Sequence, residues 1–201
     1  MHRLFVAVML VALMAACGAP TGTGVSLSDG SGARTWGNGQ YGLVLVPDAG
    51  RDATSWDSIA PIFAANGMTV LAVDSANPTA VVAALRYLEQ ELGIDRSALL
   101  GAGAGAGAAL TVAADQRGLV DQLIVLSASG DVRGLGEMPK LFVASTGESA
   151  AAEAQRMANE AAGAWNELYL AEGSASGQAI LEGDGRDGAM AAILRRLDER
   201  R

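Results

Sequence analysis

The sequence has 201 residues but only one histidine, His2, and one cysteine, Cys17. It also has a single lysine, Lys140, and only 4% aromatic residues. Each scarcity removes chemistry. Once an N-terminal segment carrying His2 is cleaved, no imidazole is left for a Ser-His-Asp or Cys-His device, or for a histidine-ligated metal. One thiol cannot build a disulfide framework or a thiolate zinc cluster. A lone lysine at the start of a strand makes a Ser-Lys pair a poor prospect. Half of the residues are nonetheless apolar. Much of that fraction is alanine, which suits helices packed closely on a sheet. The length suits one domain, and a net charge of −8 disfavours nucleic acid as a partner.

The first residues read as an export signal. Met1-His2-Arg3 is short and basic, and Leu4 to Ala16 is an unbroken run of 13 apolar residues. A bilayer span needs about 20 residues, whereas a signal-peptide core runs roughly 7–15. Leu13-Met14-Ala15-Ala16-Cys17 resembles a bacterial lipobox, in which the cysteine is lipidated and becomes the first residue. The expected organisation is a signal peptide over 1–16, lipidated Cys17 with a tether over 17–24, and one domain over 25–201. The implied partner is the membrane, reached through Cys17, and the implied location is the extracytoplasmic side of a bacterial envelope. Cleavage removes Arg3 and no acid, leaving 13 basic and 22 acidic residues, a net −9.

The body alternates strand and helix. Val25–Ser28 and Ala33–Trp36, joined by Asp29-Gly30, read as a hairpin. Leu43–Val46, Thr69–Val73, Ala98–Leu100, Gln122–Leu126, Lys140–Ala144 and Glu167–Leu170 read as strands. Helices are expected from Trp56 to Asn66, after Asn77-Pro78, over Ala104–Arg117, over Ser149–Ala162 and over Gly188–Arg200. Ser55 is the expected cap of the first. This order predicts an α/β fold with a mostly parallel, doubly wound sheet and an antiparallel hairpin at one edge.

Several ordered segments resemble the α/β-hydrolases, in particular compact members of the dienelactone-hydrolase or serine-aminopeptidase kind. Gly42 to Gly50 (GLVLVPDAG) is similar to the strand and oxyanion loop of that family. Leu99 to Gly105 (LLGAGAG) stands where the family has its Gly-x-Ser-x-Gly nucleophile elbow. Pro139 to Glu148 resembles the strand delivering the acid, and Ala171 to Leu181 the loop delivering the histidine. The 127–138 segment is too short for a lid domain.

Every chemical position departs from the family pattern. Gly103 stands at the nucleophile position, Glu148 is the available acid, and Ser176 aligns with the histidine. Asp48 puts an anion in a loop that ordinarily stabilises developing negative charge. The resemblance therefore implies a degenerate hydrolase with no catalytic triad, no cofactor and no metal. The old crevice, with Asp48, Ala102, Gly103, Ala104 and Ser176, is the candidate site for a small molecule or protein partner. Two other readings remain. Asp48 or Glu148 could serve as a base in an unconventional hydrolase. Gly101-x-Gly103-x-x-Ala106 also matches a dinucleotide fingerprint that could receive nucleotide or phosphate at a helix N-terminus. The acids Asp48, Asp52 and Asp57, and Asp184 with Asp187, are expected on exposed loops. Ser127, Ser129, Ser145 and Ser176 show no activating base in the sequence. Trp56 and Trp165 are expected to pack internally.

Overall fold

A computed structural model describes residues 22–199. The signal peptide expected over 1–16 and the lipidation at Cys17 lie outside the described residues. Eight strands form one sheet: β1 (Thr23–Ser26), β2 (Gly32–Trp36), β3 (Tyr41–Val46), β4 (Met68–Val73), β5 (Ser97–Ala102), β6 (Gln122–Leu126), β7 (Lys140–Ser145) and β8 (Asn166–Ala171). Their spatial order is β1-β2-β4-β3-β5-β6-β7-β8. β2 runs antiparallel to both neighbours, and every other pairing is parallel. The architecture is thus the expected one, with the hairpin at one edge. Among the described residues no lid is inserted between β6 and β7.

Five helices cover the sheet: α1 (Ala60–Ala65), α2 (Pro78–Gln90), α3 (Ala104–Asp115), α4 (Ala150–Glu160) and α5 (Arg186–Asp198). Alternation within strands divides the core. Val44 and Val46 of β3 point to α2, α3 and α4, where Leu85, Ala109 and Met157 close the layer. Leu43 and Leu45 point to the opposite layer, formed with Trp56, Phe63 and Ile193. All six residues of β3, β4 and β5 are buried, as strands covered on both faces must be.

The first helix departs from expectation. Ala53–Trp56 is a short 3-10 helix, and α1 begins only at Ala60. Pro61 explains the break, because a helix running from Trp56 would need an N–H that proline lacks. Asp52, not Ser55, caps the 3-10 turn by accepting from Thr54 N at 2.8 Å. Ser55 instead hydrogen-bonds the buried Gln178 and joins this turn to a second 3-10 helix, Gly177–Leu181. Asn77 caps α2 as expected, accepting from Thr79 N at 3.0 Å. Trp165 also departs: it is 51% exposed, because it precedes the edge strand β8.

Candidate functional site

The carboxyl ends of β3, β5, β6 and β7 converge on one crevice. At its centre the chain leaves β5, turns at Gly103 and enters α3. Gly103 has φ +51° and ψ −115°, a conformation that costs a side-chain-bearing residue about 1–3 kcal/mol. Glycine takes it freely. Gly103 N–H donates to the Leu126 carbonyl at 2.9 Å, which holds the turn against β6.

Asp48 fills the space above this turn. Its Oδ1 accepts from Ala104 N at 3.1 Å and from Ala49 N at 2.6 Å. In the hydrolase elbow, the oxyanion hole consists of the N–H after the nucleophile and an N–H from the loop following β3. Here both kinds of donor are committed to one carboxylate oxygen of the protein itself. A Cβ added to Gly103 would collide with that carboxylate. So would a Cβ on Gly177, and the same added Cβ would lie 3.5 Å from Gly103 N. Gly177 has φ +58°, so the two turns enclose Asp48 between glycines.

The structure brings Asp48, Ala102, Gly103 and Ala104 together, as the sequence suggests. It treats the next loop differently. Ser176 is exposed, whereas Gly177 is buried and faces the elbow. The position facing Gly103 is therefore Gly177, one residue beyond the one aligned from sequence. Any side chain there would displace Asp48.

Glu148 has an unforeseen partner. Its Oε1 accepts from Ser127 Oγ at 2.8 Å and from Ser145 N at 2.6 Å. Ser127 Oγ in turn accepts from Gly177 N at 2.6 Å. An acid–hydroxyl–amide chain thus links the loop after β7 to the loop after β8. Ser127 is the one described non-glycine residue with positive φ, +52°. The sequence offers no sign of this role, because the serine lies 21 positions from the carboxylate that meets it. The link is reinforced by Ser145 Oγ donating to the Ala175 carbonyl at 2.6 Å and by Gly147 N donating to Gly173 O at 2.8 Å.

The remaining acids disperse. Asp57 pairs with Arg34 of β2 at 3.1 Å, away from Asp48. Glu182 pairs with Arg51 across the crevice rim at 2.5 Å, and this partner raises the Arg51 pKa. Among the described residues, no group of three or more His, Cys, Asp or Glu side chains is arranged to hold a metal ion. A cavity of about 280 Å³ lies beside the crevice, lined by Ser145, Glu172, Ser174, Ala175, Ile180 and Asp184.

No protein-family profile matches the sequence, and a search of curated proteins finds no significant match. Solved structures do match. An esterase from Pyrococcus furiosus is similar with a TM-score of 0.70 and 10% identity, covering 89% of this chain and 91% of its own. The enol-lactonase from Burkholderia xenovorans gives 0.66 and 14% identity, covering 88% of this chain and 100% of its own. A hydrolase from Pseudomonas aeruginosa gives 0.65 and 15%, with coverage of 90% and 99%. At these identities the likeness establishes the architecture, which is the α/β-hydrolase fold.

Proposed function

We propose that this chain is an exported protein, lipid-anchored through Cys17, whose hydrolase fold serves as a non-catalytic binding or scaffold domain at the membrane surface. The observation that carries the reading is the placement of Asp48. A carboxylate accepting from Ala104 N–H takes a donor that acyl transfer would aim at its oxyanion. The elbow itself offers no nucleophile, since Gly103 has no side chain. Downstream of Cys17 the chain contains no histidine.

A second reading draws on Ser127 and Glu148. A hydroxyl 2.8 Å from a carboxylate is a minimal nucleophile–base pair, as an unconventional hydrolase would require. Ser127 Oγ is already held by Gly177 N–H, which favours a structural role. Nucleotide or phosphate binding at the glycine turn is less well supported. The Asp48 carboxylate sits on the α3 N-terminus, where a phosphate would otherwise bind.

Treatment of the purified protein with a fluorophosphonate probe, alongside assays on short acyl esters, tests the first reading. No labelling and no turnover are expected. Labelling lost on Ser127→Ala would establish the second reading instead. For the anchor, metabolic labelling with a clickable fatty acid is expected to vanish in Cys17→Ser, and labelling unchanged by that substitution would refute lipidation.

A further inference from the structure

The place where the N-terminal chain joins the sheet bears on how the domain meets a membrane. Thr23 opens β1 and pairs with Thr35, which pairs with Leu71, which pairs with Val44. Val44 pairs with Leu99. Thr23 therefore lies level with Leu99, so Gly22 lies about one residue lower, nearer the amino ends of the parallel strands. Gly103 is about five residues further toward the carboxyl ends. Sheet twist of about 20–25° per strand turns β1 and β5 well apart in direction, so the rise is taken along β5, where Gly103 stands some 13 Å beyond the row that Thr23 shares with Leu99. β1 and β5 are four positions apart in the sheet, which adds about 19 Å sideways. The rim loops after β6 and β8 rise higher still.

Gly22 follows Cys17 by five positions, with four residues between them, and five steps of chain reach at most about 18 Å. The rise to the crevice floor takes most of that reach. It leaves little for the rim loops, which rise higher. The opposite end of the molecule is within easy reach. There the turns Gly37–Gln40 and Asn66–Gly67 carry no charge, and Leu92 is 42% exposed. Thr35, Gly37, Gln40, Tyr87 and Leu92 line a shallow uncharged cavity of about 250 Å³ at this corner. Charged side chains stand at both ends: the crevice rim carries Asp48, Glu148, Glu172 and Asp184, while Glu91, Asp95, Arg96, Arg195 and Asp198 border this corner.

Resting on the lipid-anchor reading of Cys17, we infer that the corner formed by the turns Gly37–Gln40 and Asn66–Gly67 and by Leu92 is the bilayer-facing surface, with its uncharged cavity against the lipid and the bordering charges at the headgroups. The crevice then opens away from the membrane, and its partner arrives from the aqueous side. A ligand that remained in the bilayer could not reach Asp48 and Gly103.

The lipidated full-length chain can be reconstituted in phosphatidylcholine vesicles with headgroup-nitroxide lipids. Acylation occupies the only native thiol, so Asn38→Cys and Ser174→Cys each supply one free thiol for a fluorophore. Both positions are exposed, so the fold is preserved. With a tether of this reach, the label at 38 is expected to be quenched at least about twofold more than the label at 174. Equal quenching, or stronger quenching at 174, overturns the orientation while leaving the anchor intact. Protein that fails to float with the vesicles overturns the anchor reading and this inference with it.

Discussion

At the scale of single residues, the crevice is governed by two glycines and one carboxylate. Gly103 and Gly177 both adopt positive φ, and both would drive a Cβ into Asp48. Glycine is needed at each for conformation and for space at once. Gly103→Ala should therefore destabilise the protein by about 2–4 kcal/mol, combining backbone strain with overpacking. Asp48→Ala removes the obstacle but not the strain, so the double variant should recover more than about 1 kcal/mol relative to additivity. Urea unfolding of the four proteins measures this coupling, and strict additivity would show that Asp48 does not occupy the space above Gly103. The glycine at the turn into α3 is legible in the sequence, since LLGAGAG contains no serine. The carboxylate that fills the space above that turn is not, because Asp48 and Ala104 lie 56 positions apart.

At the scale of elements, the amino end of β7 holds an unusual group. Lys140 is fully buried, and its ammonium donates to the carbonyls of Gly136, Met138 and Ala162 at 2.6–2.8 Å. Asn166 of β8 completes the cage through its side-chain oxygen at 3.3 Å. No carboxylate shares the cage. Burial pulls the Lys140 pKa down from 10.5 to about 8, while Glu137 opposes the shift weakly. The sign follows from proton counting. Between about pH 8 and 10.5 the unfolded chain holds a proton that the folded chain has lost, so this group makes stability rise with pH. Below about pH 8 both states are protonated and the full desolvation penalty applies. Because this is the only lysine, selective ¹³C labelling of lysine gives one side-chain signal. Its chemical shift should titrate near pH 8, and titration above pH 10 would show that the ammonium is solvated. In the same window, the stability of wild type relative to Lys140→Met should grow with pH.

The elements also show what periodicity can and cannot reveal. β6 and β7 are recognisable as short apolar runs because strands covered on both faces leave no polar alternation. α2 is recognisable from Asn77-Pro78 at its start. The first helix misleads because apolar periodicity continues through Trp56 to Phe63, while Pro61 rules out a continuous α-helix from Trp56 and α1 begins at Ala60. Hydrophobic spacing reports which face is buried and says little about where the hydrogen-bond ladder begins.

At the scale of the whole molecule, one sheet separates two apolar layers and couples them. Trp36 and Trp56 lie in the layer with α1 and α5, while α2, α3 and α4 build the other. Every central strand contributes side chains to both, so neither layer can persist alone. Unfolding followed by tryptophan fluorescence and by far-ultraviolet circular dichroism should therefore give coincident transitions. Separated midpoints would mean that the layers melt independently. The same sheet sets the start of the edge strand β1 apart from the crevice, since β1 begins level with the middle of the parallel strands and the polar loops gather at their carboxyl ends.

The sequence alone determined the α/β order, the antiparallel entry and the lack of histidine beyond residue 2, because strand and helix periods and residue counts are local properties. It also showed that the turn between β5 and α3 is built from glycine and alanine. Tertiary structure alone decided that Asp48 takes Ala104 N–H, that Gly177 rather than Ser176 faces the elbow, and that Ser127 joins Glu148 to the loop after β8. These depend on loops from separate strands meeting at one end of the sheet. The physical reason is that buried or half-buried donors and acceptors must find partners wherever folding places them, and sequence spacing does not encode that proximity.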